Sequence, residues 1–348
     1  MRKLLILMIL LPLMSIKVSA AELEFAAPAV PPSGSDIMIE PSDSFLNDIL
    51  VIFRKALPYV HPAFSEAAGI CLRVLTVIMI LSVLNNLATM DYGIIHVTGV
   101  ISLSVLLLTT SNSMISLGTD IIHELSNYNK LLLPVMTGAL SAQGRISTSG
   151  ALYTGTAFFD SILSSLIDIF FVPAIYCILA LSIASRAMGD DHIKKMMELT
   201  KGFVVWALKI ILYVFTGYMT ISGAISGSTD AISMKAAKIT ISSAVPVVGG
   251  ILADASEAVL VSASVMKNMA GIYGILAILA ILLRPFIRIG AQYLLIKLTA
   301  AICSAFGSKT LCGLVDDFAA VMGLVLAMIA AVSIMGLISV VCFMRAVS

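Results

Sequence analysis

Six stretches of this chain, 70–88, 93–117, 158–185, 202–226, 270–296 and 315–343, are predominantly apolar from end to end. Each has the length needed to cross about 30 Å of hydrocarbon, which takes roughly 20 helical residues. Inside a bilayer every backbone N–H and C=O must find its partner within the protein, so spans of this kind fold as helices packed side by side. The expected fold is therefore all-α, a polytopic transmembrane helical bundle with six firm spans. Composition agrees: 59% of the 348 residues are apolar and 12% charged, with a mean hydropathy of +1.06, whereas soluble domains carry about 25% charged residues. The formal net charge of +1 leaves no basic stripe to neutralise phosphates, so nucleic acid is excluded as a partner and the lipid bilayer is the expected environment.

The N-terminus carries Arg2 and Lys3, an apolar run from Leu4 to Met14, and Val18-Ser19-Ala20 before Ala21. This is the pattern of a secretory signal peptide over 1–20, cleaved between Ala20 and Ala21, which would leave the mature N-terminus extracytoplasmic. Residues 21–48 are rich in Pro and Ser (Pro28, Pro31, Pro32, Ser33, Pro41) and read as an exposed tether. Over 43–66, Phe45, Ile49, Ile52 and Phe53 share a helical face with Asp48, Arg54 and Lys55 elsewhere, an amphipathic helix suited to lying on the membrane or on a partner, or else an ordinary capping helix. The expected organisation is thus a signal peptide, an extracytoplasmic linker and helix over 21–66, and a membrane domain over 67–348.

Two further apolar pieces are interrupted: 131–142 by Pro134 and Gly138, and 239–264 by Pro246, Gly249 and Gly250. Broken helices are tolerated at membrane depth only where protein or a wet cavity satisfies the freed backbone groups, which makes both candidates for re-entrant elements. Arg186, Lys194, Lys195 and Lys201 form the densest basic connection and place it in the cytoplasm. Lys235, Lys238 and Lys267 then fall on the exterior side, unless the second broken element crosses and inverts everything after it. At an offset of 112, Pro134–Leu140 aligns with Pro246–Leu252 and Pro173 with Pro285, and the long spans superpose, which suggests an internal repeat. A re-entrant broken element makes the repeats parallel; a crossing one makes them inverted, as in many secondary transporters.

Charged groups within spans are the candidates for function, because each is costly there. Asp160, Ser164 and Asp168 recur at four-residue spacing on one face, which either lines a polar pathway or meets water at the span's end. Arg284 and Arg288 flank Pro285 and need partners. Asp316 and Asp317 could supply them, or could sit as an acidic pair at a helix N-terminus. Arg73 and Lys209 can snorkel to an interface. Gly223 and Gly227, in a run of small residues, favour close helix approach within the chain or between copies, so a homo-oligomer is compatible. The five cysteines and four histidines lack ligand spacing, so the cysteines read as packing residues and neither disulfide nor metal is expected. Ser264-x-x-Lys267 lacks the companion elements of acyl enzymes, and there is no phosphate-binding Gly-Lys-Ser/Thr loop. No catalytic residue and no cofactor is expected.

The leader, the Pro-rich segment and the region from Leu131 onward, above all Ile241-Ser242-Ser243-Ala244-Val245-Pro246-Val247-Val248-Gly249-Gly250 with Asp254 following, resemble the stage III sporulation protein AE family. The resemblance implies a multi-pass protein of the mother-cell membrane around the forespore. It would be a subunit of the transenvelope channel or export complex that sustains late forespore development. Implied partners are the other stage III A operon membrane proteins and, indirectly, the forespore stage II protein Q. From the residues alone, a stand-alone secondary transporter for a small solute stays open; a membrane-embedded hydrolase would need paired catalytic groups at one depth, which are not found.

Overall fold

The structure, a computed structural model, describes residues 28–42, 44–87, 92–244, 249–306 and 309–346. The expected leader, with Ala20 and Ala21, lies outside them. The described residues form a short turn of helix α1 (Pro32–Ser35), α2 (Phe45–Ala56), a 3-10 turn (Leu57–Tyr59), α3 (Val60–Leu87), α4 (Tyr92–Ala142) and α5 (Ile146–Leu166). A π turn (Ile167–Phe171), α6 (Val172–Met188), α7 (Asp191–Ala244), α8 (Gly249–Phe306) and α9 (Lys309–Arg345) follow. No strand occurs among the described residues, and six helices are long and apolar enough to cross a membrane.

The long helices run up and down between two ends. Chain reversals at Gly144 (φ 78°) and Gly189 (φ 69°) use the left-handed backbone that glycine adopts without strain. One end of the bundle holds the α4–α5 turn and the last turn of α9, and is called here the Arg345 end. The other holds the α6–α7 and α8–α9 connections and is called the Met188 end. Centrally placed α9 has 61% of its most apolar stretch buried, against 22% for Asp191–Gly223, and packs Val315, Phe318, Met322, Val325, Ile329, Val332 and Phe343 inward. Lipid supplies no hydrophobic drive to association, so close approach at small residues matters more than in water. Gly118 lies against Val325, Gly155 against the Tyr218 ring and Gly274 against Leu132, with no room for a Cβ at any of them.

Several expectations are corrected. The first broken element does not break: α4 runs unbroken through Pro134 and Gly138 to Ala142. A helical proline loses one hydrogen bond, to the carbonyl four residues earlier, whereas leaving the helix in apolar surroundings would free several. The second interruption ends one helix at Ala244 and begins another at Gly249, with Gly250 in its first turn; Val245–Val248, including Pro246, lie outside the described residues. Asp230 and Lys267 both sit at the Arg345 end, and unbroken α7 carries the chain about 21 Å further outward from Asp230 to Ala244. The chain therefore returns to the end it left. In consequence α4 with α5–α6, and α7 with α8, are two hairpins of the same sense, as parallel repeats require. The aligned Pro134 segment nevertheless lies inside a helix, while of its counterpart Gly249–Leu252 open the next helix.

The tether reading fails for residues 28–42, which dock on α8. Ile37 is buried with Leu276 and Ala280, and a Cβ on Gly34 would come within 2.8 Å of the Ile281 nitrogen. Amphipathic α2 packs Ile52 and Ala56 against Leu276, Ala280 and Leu283 of α8, with Lys55 Nζ donating to the Met38 carbonyl at 3.0 Å. Phe53 points outward rather than sharing that face. Gly223 is not a contact glycine: a Cβ there meets nothing within 4 Å, and the side of Gly227 is outside the described residues. Cys303 and Cys312 do not pack separately: they face each other, Cα–Cα 5.5 Å, and pair α8 with α9.

Candidate functional site

Asp160 is the only carboxylate among the described residues that is buried in the middle of a long apolar helix, 2% exposed on the inner face of α5. Its Oδ2 accepts a hydrogen bond from Ser126 Oγ of α4 at 2.6 Å, and the Asn129 side chain lies beside it. Gly336 of α9 makes space for Asn129, whose Oδ1 would be 2.9 Å from any Cβ there. Asp160 Oδ1 has no hydrogen-bond partner. One turn closer to the Arg345 end, Thr156 donates to Ser339 Oγ of α9 at 3.2 Å. Two turns further, buried Thr148 and Gln143 follow.

That file ends at a knot of charge. Asp230 accepts from the Ser147 and Thr148 amides, 3.1 and 2.8 Å, at the N-terminus of α5, where free N–H groups and the helix dipole favour an anion. Arg145 Nη1 donates to the Ala346 carbonyl and buried Lys267 Nζ to the Met344 carbonyl at 2.8 Å, so two cations cap the last turn of α9. Asp230 lies beyond Gly223, outside the apolar span. Burial by itself would raise its carboxyl, but the Thr148 side chain, the two amides and the Arg145 charge hold it below the ordinary value of 3.8. A depressed carboxyl contributes stability that is complete above the unfolded value and is lost as pH falls through the folded one. The melting temperature of purified protein should therefore exceed that of Asp230→Asn by a constant margin above about pH 4, and the margin should shrink below it; a margin that grows on acidification would exclude this capping role.

Toward the Met188 end the interior turns apolar at Leu163, Ile167 and Phe171, each fully buried. The π turn there precedes Pro173, whose missing N–H and bulky ring an α-helical turn accommodates poorly. The predicted Asp160–Ser164–Asp168 face is thus not one environment. Ser164 is half-buried, and Asp168 is exposed beside His123 at 3.2 Å.

The remaining charged candidates have partners, though not those considered. Arg288 makes a two-pronged pair with Glu66 of α3, 2.8 and 3.1 Å. Arg284 lies 3.8 Å from Asp36 and 5.0 Å from the centre of the Tyr59 ring. Both arginines thereby tie α8 to the N-terminal segment and α3. Asp316 takes Lys297 at 2.5 Å. Asp317 Oδ2 accepts from Arg186 Nε and Nη2 at 3.0 and 2.9 Å and from Ser182 at 2.9 Å, while Gly313 leaves room for the guanidinium. Sequence reasoning missed Ser126, Asn129, Thr156, Ser339 and the Arg186–Asp317 pair. The four-residue spacing of Thr148, Leu152, Thr156 and Asp160 was the available signal for the α5 face.

A family model described as Stage III sporulation protein AE matches residues 42–346. Stage III sporulation protein AE of Bacillus subtilis (strain 168) is 24% identical over 255 residues, covering 73% of this chain and 63% of that relative. The chain thus matches less than two thirds of the relative's length. No solved structure matches it.

Proposed function

We propose, from the premise that this chain belongs to the stage III sporulation protein AE family, that it is an integral membrane subunit of the envelope-spanning complex connecting mother cell and forespore. The family match along nearly the whole membrane bundle carries this reading. The chain would lie in the mother-cell membrane around the forespore, with the basic α6–α7 connection in the cytoplasm. Residues 28–59 and the α7–α8 hairpin would then face the intermembrane space. That hairpin and the docked N-terminal segment are the surfaces through which it would meet the other stage III A operon proteins and, through them, the forespore stage II protein Q.

Deleting the gene in its endospore-forming host should leave engulfment intact, silence late forespore reporters and abolish heat-resistant spores, with rescue by the full chain. Tagged chain should co-purify with the other operon products. Normal spore counts after deletion would refute the role. A stand-alone secondary transporter is the second reading, favoured by the buried carboxylate at Asp160; it requires solute binding by the purified protein alone.

A further inference from the structure

The buried polar groups between the Arg345 end and Asp160 do not satisfy one another. Both side-chain polar atoms of Gln143 and Asp160 Oδ1 lack hydrogen-bond partners, while the Thr148 hydroxyl lies beside the Asp230 carboxylate. Gln143 is 5% exposed, Thr148 0% and Asp160 2%, so bulk solvent does not serve them. Buried polar atoms left this way call for internal water or a bound ion. From Thr148 to Asp160 the distance along α5 is about 18 Å, bridged midway by the Thr156–Ser339 pair. Beyond Asp160, the Leu163, Ile167 and Phe171 layer contains no such atom.

The charge balance at the inner terminus points the same way. An ionised carboxylate buried without a counter-charge is very costly, and Asp160 has only the neutral Ser126 and Asn129 beside it. Lys130, the nearest cation on α4, is exposed and makes no ion pair with it. At the outer end the charges are already engaged: Asp230 on the α5 N-terminus, Arg145 and Lys267 on the α9 carbonyls.

We propose that the seam between α4, α5 and α9 holds internal water and forms a half-pathway leading inward from the Arg345 end and closed by Leu163, Ile167 and Phe171, through which a monovalent cation, a proton or a sodium ion, reaches and neutralises Asp160. Nothing in this inference depends on the sporulation role, and purified full-length chain suffices to test it.

Dicyclohexylcarbodiimide modifies protonated carboxyls in apolar surroundings, and peptide mass spectrometry locates the adduct. An adduct is expected at Asp160 and lost in Asp160→Asn. Protection by sodium chloride but not choline chloride identifies sodium as the ion; labelling that responds only to pH identifies the proton. The pathway is tested separately in chain whose native cysteines are serine, reconstituted in vesicles. A small water-soluble methanethiosulfonate should modify Thr156→Cys, and leave Ile167→Cys, placed in the apolar layer, unmodified. An Asp160 that stays unlabelled from mildly acidic to mildly alkaline buffer, or a Thr156→Cys thiol as inert as Ile167→Cys, overturns the proposal.

Discussion

Asp317→Ala should lower the stability of the bundle by about 3 kcal/mol, the lower end of the cost of removing one partner from a buried ion pair. Side-chain exposures are 19% for Arg186 and 14% for Asp317, so water screens the pair only partly. The carboxylate is the shared acceptor for two guanidinium nitrogens and Ser182. Its loss strands a guanidinium between α6 and α9, against Gly313. The effect should appear as a depressed melting temperature in detergent and a reduced amount in the membrane fraction. Arg186→Leu combined with Asp317→Ala should recover much of the loss, because the stranded charge, rather than the missing attraction, dominates the cost. A single variant that melts like the parent would mean the pair contributes nothing.

Gly155→Leu should cost about 2 kcal/mol, a typical penalty for forcing bulk into a packed interior. The Tyr218 ring occupies the space a side chain would need. It is held there by its hydroxyl bond to the Ala151 carbonyl at 3.1 Å and by tilted contact with Phe159 at 5.8 Å. Displacing it separates α5 from α7 close to Thr156. Gly223→Leu should not destabilise the bundle, because a Cβ there meets nothing and Leu is the better helix former by somewhat under about 1 kcal/mol. Melting curves of the two variants therefore decide which glycine makes the interhelical contact, and equal effects would remove the distinction.

Gly223 shows why the sequence could mislead here. A run of small residues marks a surface where helices can approach, but it does not say which face of a helix turns inward; Gly155, in a second such run with Ala151, Thr154, Thr156 and Ala157, makes the contact, and Gly223 does not. The number of spans and their order were legible, because length and apolarity determine whether a helix can cross. The fate of each proline was not. Pro134 and Pro285 lie within continuous helices, since neighbouring helices compensate one lost hydrogen bond, and composition reports nothing about neighbours. The same limit applied to the charges. Arg284 and Arg288 announced a need for partners, yet Asp36 and Glu66 lie more than two hundred residues away in the chain. Asp160 stood out because an acidic residue amid apolar ones is conspicuous, whereas its partners Ser126 and Asn129 are common polar residues whose role depends on packing.

The arrangement of two same-sense hairpins, with the N-terminal segment and the α7–α8 turn on one side, is most directly tested by thiol accessibility. The chain, with its native cysteines replaced by serine, is expressed in vegetative cells, where the exterior face of the membrane meets the medium. Single cysteines at Asn47, Lys235 and His192 are probed with a membrane-impermeant maleimide. Asn47→Cys and Lys235→Cys should label in intact cells and His192→Cys only after permeabilisation. Labelling that places Asn47 and Lys235 on opposite sides would contradict the account.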